Sequence, residues 1–382
     1  MEGSATDPFT RELAAARVDN VLLGSTAAPD PVSVVDRLLC VQAQEHAFSR
    51  WSVAQRTQRP DEPAVLASIA AGAVVRTHIL RPTWHYVRGD DLRWLQALTG
   101  PRVRRLSAGW YRSHGADEEF FLATRKVVEA QLAGGHCLTR DELKQSLIGA
   151  GIDVSGQRIT AALFDLELQA VICSGPVRGK HHTYGLVDEL LPPAPPLAAD
   201  EALTLLVRRY LKGHGPALLK DLRWWSSLTL KQLQQGVEDL GATVTSATVG
   251  GAEYMWLAEQ QPAGDASRQT GQFRLLQVFD ELFVGYSESR GLVDPDGEFG
   301  SVLPIGFSKM MHVVLEGDRL AGRWRSDKRR GPAPGTNTLE ITAEMTRPLG
   351  AADLRGLEQA AEAYGAFVGM EVATVTRDLN AL

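Results

Sequence analysis

The chain has 382 residues, 44% hydrophobic and 23% charged, the balance of a globular protein long enough for two or more domains. No run of ~18 apolar residues is present to span a membrane, and residues 1–10 have neither the basic start nor the apolar core of a signal peptide. The net charge of −6 argues against indiscriminate nucleic-acid binding, yet it averages over faces that a ligand never meets and leaves room for a local basic surface.

Asp30-Pro31 is a helix start, with Asp as cap and Pro in the first turn. Val34, Val35, Leu38 and Leu39 then recur at helical spacing, and the next inward position falls on Gln42, in Gln42-Ala43-Gln44. A neutral amide there must find partners or open on a cleft, because an unsatisfied buried amide costs about 1–3 kcal/mol. Gln44 would lie about 200° around a regular helix, so both amides serve one site only if the helix ends or distorts near Val41. A helix near Pro63–Ala71 and strands near Val74–Thr77 and Trp84–Val87 complete a first unit, residues 8–115. Between Arg76 and Arg112, eight arginines, Arg76 and Arg81 among them, meet only two acids and are interleaved with Trp84, Tyr86, Trp94, Trp110 and Tyr111. Arginine among aromatics is a signature of phosphate and base contact.

In residues 116–190, Thr139-x-x-Glu142 is a capping-box start and Gly149-Ala150-Gly151 a stop. Ser155 caps a second helix with Ile159, Leu163, Leu166 and Ala170 on one face, and a hairpin of 171–173 with 182–187 follows. Helix, turn, helix and a two-stranded wing make a winged helix. The same order recurs in the first unit and, after the Pro192–Pro196 linker, in residues 198–260, whose helices near Glu201–Lys212, Ala217–Trp225 and Leu230–Leu240 lead to strands near Thr243–Val249 and Glu253–Leu257. Three repeats indicate a tandem array. Residues 270–382 are β-rich, with strands at Leu275–Tyr286, Met311–Leu315, Leu320–Arg325 and Thr338–Thr342 and a helix at Ala352–Tyr364. The basic stretch Arg323–Gly335 would be a loop or hairpin tip there. The fold class expected is α+β: three tandem winged helices plus a small C-terminal β-rich domain.

Cys40, Cys137 and Cys173 lie far apart without metal-ligand spacing and read as reduced thiols of a cytoplasmic protein. His181-His182 lacks further ligands, so neither metal nor cofactor is expected. Trp224-Trp225 reads as core before it reads as a stacking platform.

Gln42-Ala43-Gln44, Leu80-Arg81-Pro82-Thr83-Trp84-His85-Tyr86-Val87 and Phe279-Asp280-Glu281-Leu282-Phe283-Val284-Gly285-Tyr286, in this order and with three winged helices, resemble the AlkZ/YcaQ superfamily of bacterial winged-helix DNA glycosylases over essentially the whole chain. The likeness is to the Gln-x-Gln branch, since the other branch carries Gln-x-Asp. It implies release of bulky or crosslinking N7-alkylguanine from double-stranded DNA, often as self-resistance to a genotoxin, by a nucleoid-associated protein expected to be a monomer. The resemblance casts Gln42 and Gln44 as catalytic, with Thr83 and His85 as phosphate or sugar contacts; the pair Asp280-Glu281, with Asp280 taken as the supporting residue, could place a carboxylate near the cleft.

The chemistry suits two glutamines. N7 alkylation makes guanine a cation and a good leaving group, so cleavage runs ahead of water attack through an oxocarbenium-like state. The protein must hold a water and orient dipoles toward the developing cation; it needs no strong acid and no lysine nucleophile. Arg76 and Arg81 would hold phosphates, and Arg325, Lys328, Arg329 and Arg330 would approach the minor groove. A winged-helix regulator and a drug-sequestering resistance protein are the alternatives; the helix Ser155–Gln169, with one basic residue against two acids, suits major-groove reading poorly.

Overall fold

The computed structural model describes residues 8–179, 181–262, 271–294, 312–330 and 337–378, and it is a mixed α+β protein. After α1 (Pro8–Asn20), α2 (Pro31–Leu38) starts as its sequence requires: the Asp30 carboxylate accepts from the Ser33 N–H at 2.8 Å and Pro31 occupies the first turn. The helix stops at Leu38 because Leu39 takes φ +63°, and the chain runs on as β1 (Cys40–Gln42). Gln42 is therefore not a helical residue. The break expected near Val41 comes earlier, β1 ends at Gln42, and Gln44 lies in the bend that follows. Next come α3 (His46–Ala54), α4 (Glu62–Ala70), β2 (Val74–His78) and β3 (Trp84–Arg88), in a sheet ordered β1-β3-β2 with Gln42 directly opposite His85.

The chain continues with α5 (Gly89–Leu106), α6 (Ala108–Ser113) and α7 (Glu118–Leu132). Then β4 (Leu138–Thr139), α8 (Arg140–Gly149), α9 (Arg158–Leu168), β5 (Ile172–Ser174) and β6 (Thr183–Leu186) repeat the helix–helix–hairpin order, and Thr139 and Glu142 cap each other's backbone as a reciprocal box. After α10 (Val187–Leu190), the third such run is α11 (Ala199–His214), α12 (Leu219–Ser226), α13 (Leu230–Leu240), β7 (Val244–Val249) and β8 (Ala252–Leu257).

The C-terminal part holds β9 (Phe273–Leu276), α14 (Glu281–Val284), β10 (His312–Glu316), β11 (Arg319–Arg330), β12 (Asn337–Met345), α15 (Ala351–Val368) and β13 (Glu371–Asp378), in a sheet ordered β13-β12-β11-β10-β9. The strand expected over Leu275–Tyr286 ends at Leu276: the Asp280 carboxylate accepts from Leu282 N–H at 3.0 Å and starts α14 instead. The basic stretch from Arg323 to Arg330 lies within β11, and its expected continuation through 331–335 falls outside the described residues, as does Met311. The parallel edge strand β13 had not been anticipated.

Packing ties the ends of the chain together. One core joins Val34, Val35 and Leu38 to Leu275, Val314, Ile341 and Leu357. A second joins Leu39, Val87 and Leu95 to Leu206, Tyr210, Trp225 and Tyr286. The first unit and the C-terminal sheet thus share an interior, and β1 lies where these two cores meet. None of the helices among the described residues is long and apolar enough to cross a membrane.

Candidate active site

The end of β1 opens on a cleft of about 540 Å³. Its floor and walls come from Gln42, from Arg81, Pro82 and Thr83 in the β2–β3 turn, from Arg102 and Leu106 on α5, from Lys220, Arg223 and Trp224 on α12, and from Ser287 and Glu288 after α14. Gln42 is 2% exposed and is held on both sides. Its backbone N–H donates to Glu281 Oε1 at 2.6 Å, and its Oε1 accepts from Arg81 Nη2 at 2.9 Å. Because a guanidinium only donates, Arg81 sets the amide's orientation, with the oxygen toward Arg81 and one lone pair still available. Gln44 is exposed beside the cleft and does not line it; its Oε1 accepts from Trp84 N–H at 3.4 Å.

Glu281 lies beneath this floor with no exposed surface. Its Oε2 accepts from His214 Nε2 and from Trp225 Nε1, each at 3.2 Å. Burial by itself would raise the carboxyl, but the bond from His214 and the charges facing it, that of Arg81 among them, outweigh it and bring it down to about 2. Glu281 is therefore an anion at neutral pH. His85, also fully buried, is pushed down to about 3 by burial and by the neighbouring Arg81 cation. As a neutral ring it donates from Nδ1 to Thr83 O at 3.0 Å, which turns the bare Nε2 toward Arg81, 3.4 Å away. A buried neutral imidazole makes a poor phosphate contact; His85 braces the floor instead.

Other expected residues are also placed differently from their sequence reading. Arg81 is 7% exposed and donates to Gln42 and to Val284 O (3.0 Å), so it orients the amide rather than reaching for phosphate. Arg76 is equally buried, donates to Ala43 O at 2.9 Å and stacks over Trp84 at 4.2 Å. Asp280 points away from the cleft into a fully buried ion pair, bonding Arg56 at 2.7 and 2.9 Å. Thr83 does line the cleft, and its Oγ1 is buried without a hydrogen-bond partner among the described residues. Much of the Arg76–Arg112 cluster is spent internally: Arg88 pairs with Asp36 and Asp90, Arg93 with Asp188, and Arg104 with Asp165 and Glu118. The positive lining of the cleft comes from Arg81 and Arg102 of that cluster together with Lys220 and Arg223 from α12. Lys220, Arg223 and Trp224 went unrecognised because they sit in the third repeat, far from the Gln pair in sequence. Of the tryptophan pair, Trp225 is core, with 0% exposure, while Trp224 forms part of the cleft wall. At the C-terminal tip, Arg325, Lys328, Arg329 and Arg330 are exposed, with Arg325 bonded to Asp327 at 3.2 Å and Arg329 to Glu340 at 2.7 Å.

A buried, oriented amide at the floor of a basic cleft can position a water or a sugar but cannot remove a proton. Proteins of known function carry the same architecture. The "Interstrand DNA cross-link repair glycosylase" of Streptomyces sahachiroi is 27% identical over 357 residues, 87% of this chain and 93% of that protein. The solved structure of Streptomyces sahachiroi DNA glycosylase AlkZ superposes with a TM-score of 0.75 at 25% identity, covering 96% of this chain and 99% of that one. A family profile described as "DNA glycosylase AlkZ-like" matches residues 35–367, nearly the whole of the described protein, and the chain belongs to this family of DNA glycosylases.

Proposed function

We propose that this glycosylase acts on duplex DNA carrying N7-alkylguanine, bulky or crosslinked, and leaves an abasic site without cutting the strand. The relative named for interstrand crosslink repair supports the crosslink part of this reading. The observation that carries the chemistry is Gln42, fixed by Arg81 and Glu281 at the floor of a cleft lined with cations. In the reaction the C1′–N9 bond breaks and its electron pair goes to the base, so that the cationic guanine departs neutral. The positive charge moves to the sugar as an oxocarbenium ion. Water then adds to C1′ and passes its extra proton to solvent. The remaining lone pair of Gln42 Oε1 accepts from that water and turns its negative end toward C1′; Gln44 assists from the rim. Neither amide is basic, so only labile, activated lesions react.

In this reading the three helix–helix–hairpin units are winged helices that lay the duplex across one concave surface. A crosslinked guanine is tethered through its adduct and cannot readily swing into a closed pocket, which fits an open cleft. The test is single-turnover release of 7-methylguanine from duplex DNA. Gln42→Ala and Gln44→Ala should each slow it roughly 10–1000-fold, the range for lost positioning and dipole stabilisation, with the fold intact. A double variant as fast as the parent, or a covalent complex trapped by borohydride, would refute the proposal.

A further inference from the structure

We infer that Glu281 is a charged positioning residue of the glycosylase reaction: it grips the backbone at Gln42 and sets a fixed negative charge under the floor of the cleft, facing the cationic sugar. The inference rests on the cleft being the place where the glycosidic bond breaks.

This carboxylate joins three distant segments, Gln42 on β1, His214 on α11 and Trp225 on α12, with N–H donors at both of its oxygens, so a negative charge is held there despite the cost of burying it. The neighbouring Asp280 shows the contrast, since Arg56 answers its charge through two close contacts. Glu281 has no such clamp. Two of its donors, the Gln42 backbone and the Trp225 indole, are neutral N–H groups. Arg81, the guanidinium nearest the Gln42 amide, directs its bonds to Gln42 Oε1 and Val284 O. His214 and Arg81 answer part of the charge of Glu281, and the remainder acts on the cleft through an interior where charges are weakly screened. During bond cleavage positive charge moves from the base to the sugar. An anion fixed below Gln42 favours that movement without meeting water or substrate, and it needs no reorganisation as the charge develops.

The experiment compares duplexes with a neutral tetrahydrofuran or a cationic pyrrolidine in place of the lesion nucleotide. The unaltered protein should bind the pyrrolidine duplex roughly tenfold or more tightly, and Glu281→Gln should abolish most of that preference. The same variant should slow base release roughly 10–100-fold while holding the tetrahydrofuran duplex within about threefold of the parent. Glu281→Asp, shorter but still charged, should retain the preference. A role in folding alone would weaken both duplexes alike and leave their ratio unchanged, which would overturn the inference. Should Glu281→Gln fail to fold, the unaltered protein still decides, because absence of a pyrrolidine preference overturns it equally. The binding ratio needs no base release, so a failed lesion assignment and a failed role for Glu281 are told apart.

Discussion

Asp280 and Glu281 are consecutive, both are fully buried, and they face different partners. Asp280 accepts from Arg56, Ser52 and Leu282 N–H, which ties α14 to α3. Glu281 accepts from the backbone of β1 at Gln42. Removing one partner of a buried pair strands the other charge, so Asp280→Asn should lower stability by about 3–5 kcal/mol, read as a shift of the urea midpoint. Base release per folded molecule should stay within about threefold of the parent, because Asp280 does not reach the cleft. A large loss of rate at unchanged stability would return Asp280 to the chemistry. Thr83 is a different case: the residue lines the cleft, while its buried hydroxyl has no hydrogen-bond partner among the described residues.

Among the elements, β1 decides the site. A three-residue strand is too short for a sequence pattern to declare, and the Leu38–Leu39 periodicity argued for more helix. What overrides it is pairing: Cys40, Val41 and Gln42 bond to Val87, Tyr86 and His85, a contact between segments some forty residues apart. The three helix–hairpin runs were legible because their caps, glycine stops and alternating strands are local. The floor of the cleft was legible only in part: the Asp280-Glu281 pair offers a carboxylate near the cleft, but which of the two turns there, and that His214 and Trp225 join it, is decided by tertiary packing. β11 separates its cations by strand parity. Arg325, Asp327 and Arg329 share one face, where two ion pairs mute them, whereas Lys328 and Arg330 continue the face that carries buried Trp324 and stand exposed. Lys328→Glu with Arg330→Glu should therefore weaken binding to every duplex and flatten the salt dependence by about two units of slope, close to one per lost phosphate contact. Arg329→Glu should do less. An unaltered slope in fluorescence-anisotropy titrations would remove the tip from the DNA path.

Across the whole molecule, desolvated histidines, the fully buried His85 and the half-buried His312, shape the response to acid. His85 sits at about 3 and His312 at about 4, both lowered chiefly by burial, against 6.5 in an unfolded chain. Between those values the unfolded chain binds protons that the folded one refuses, so stability rises with pH and is lost as pH falls below about 6.5. Each of the two should remove about 2 kcal/mol by pH 5. Glu281 has the opposite history and the same sign: lowered to about 2 from 4.5, its contribution persists above 4.5 and vanishes only on further acidification. Urea midpoints should decline from pH 7 to pH 5 and again below pH 4.5; a midpoint constant between pH 7 and 5 would contradict the burial of these rings. The cleft also has a consequence for synthesis. Its lining begins at Gln42 and ends at Glu288, and its floor needs Glu281. A nascent chain that has left the ribosome as far as residue 270 already displays both glutamines and three helix–hairpin units, yet Gln42 has nothing beneath it. On the proposed reading, copies that stop before Glu281 bind duplex DNA without releasing base, and base release needs the chain as far as Glu288, the last residue of the cleft wall.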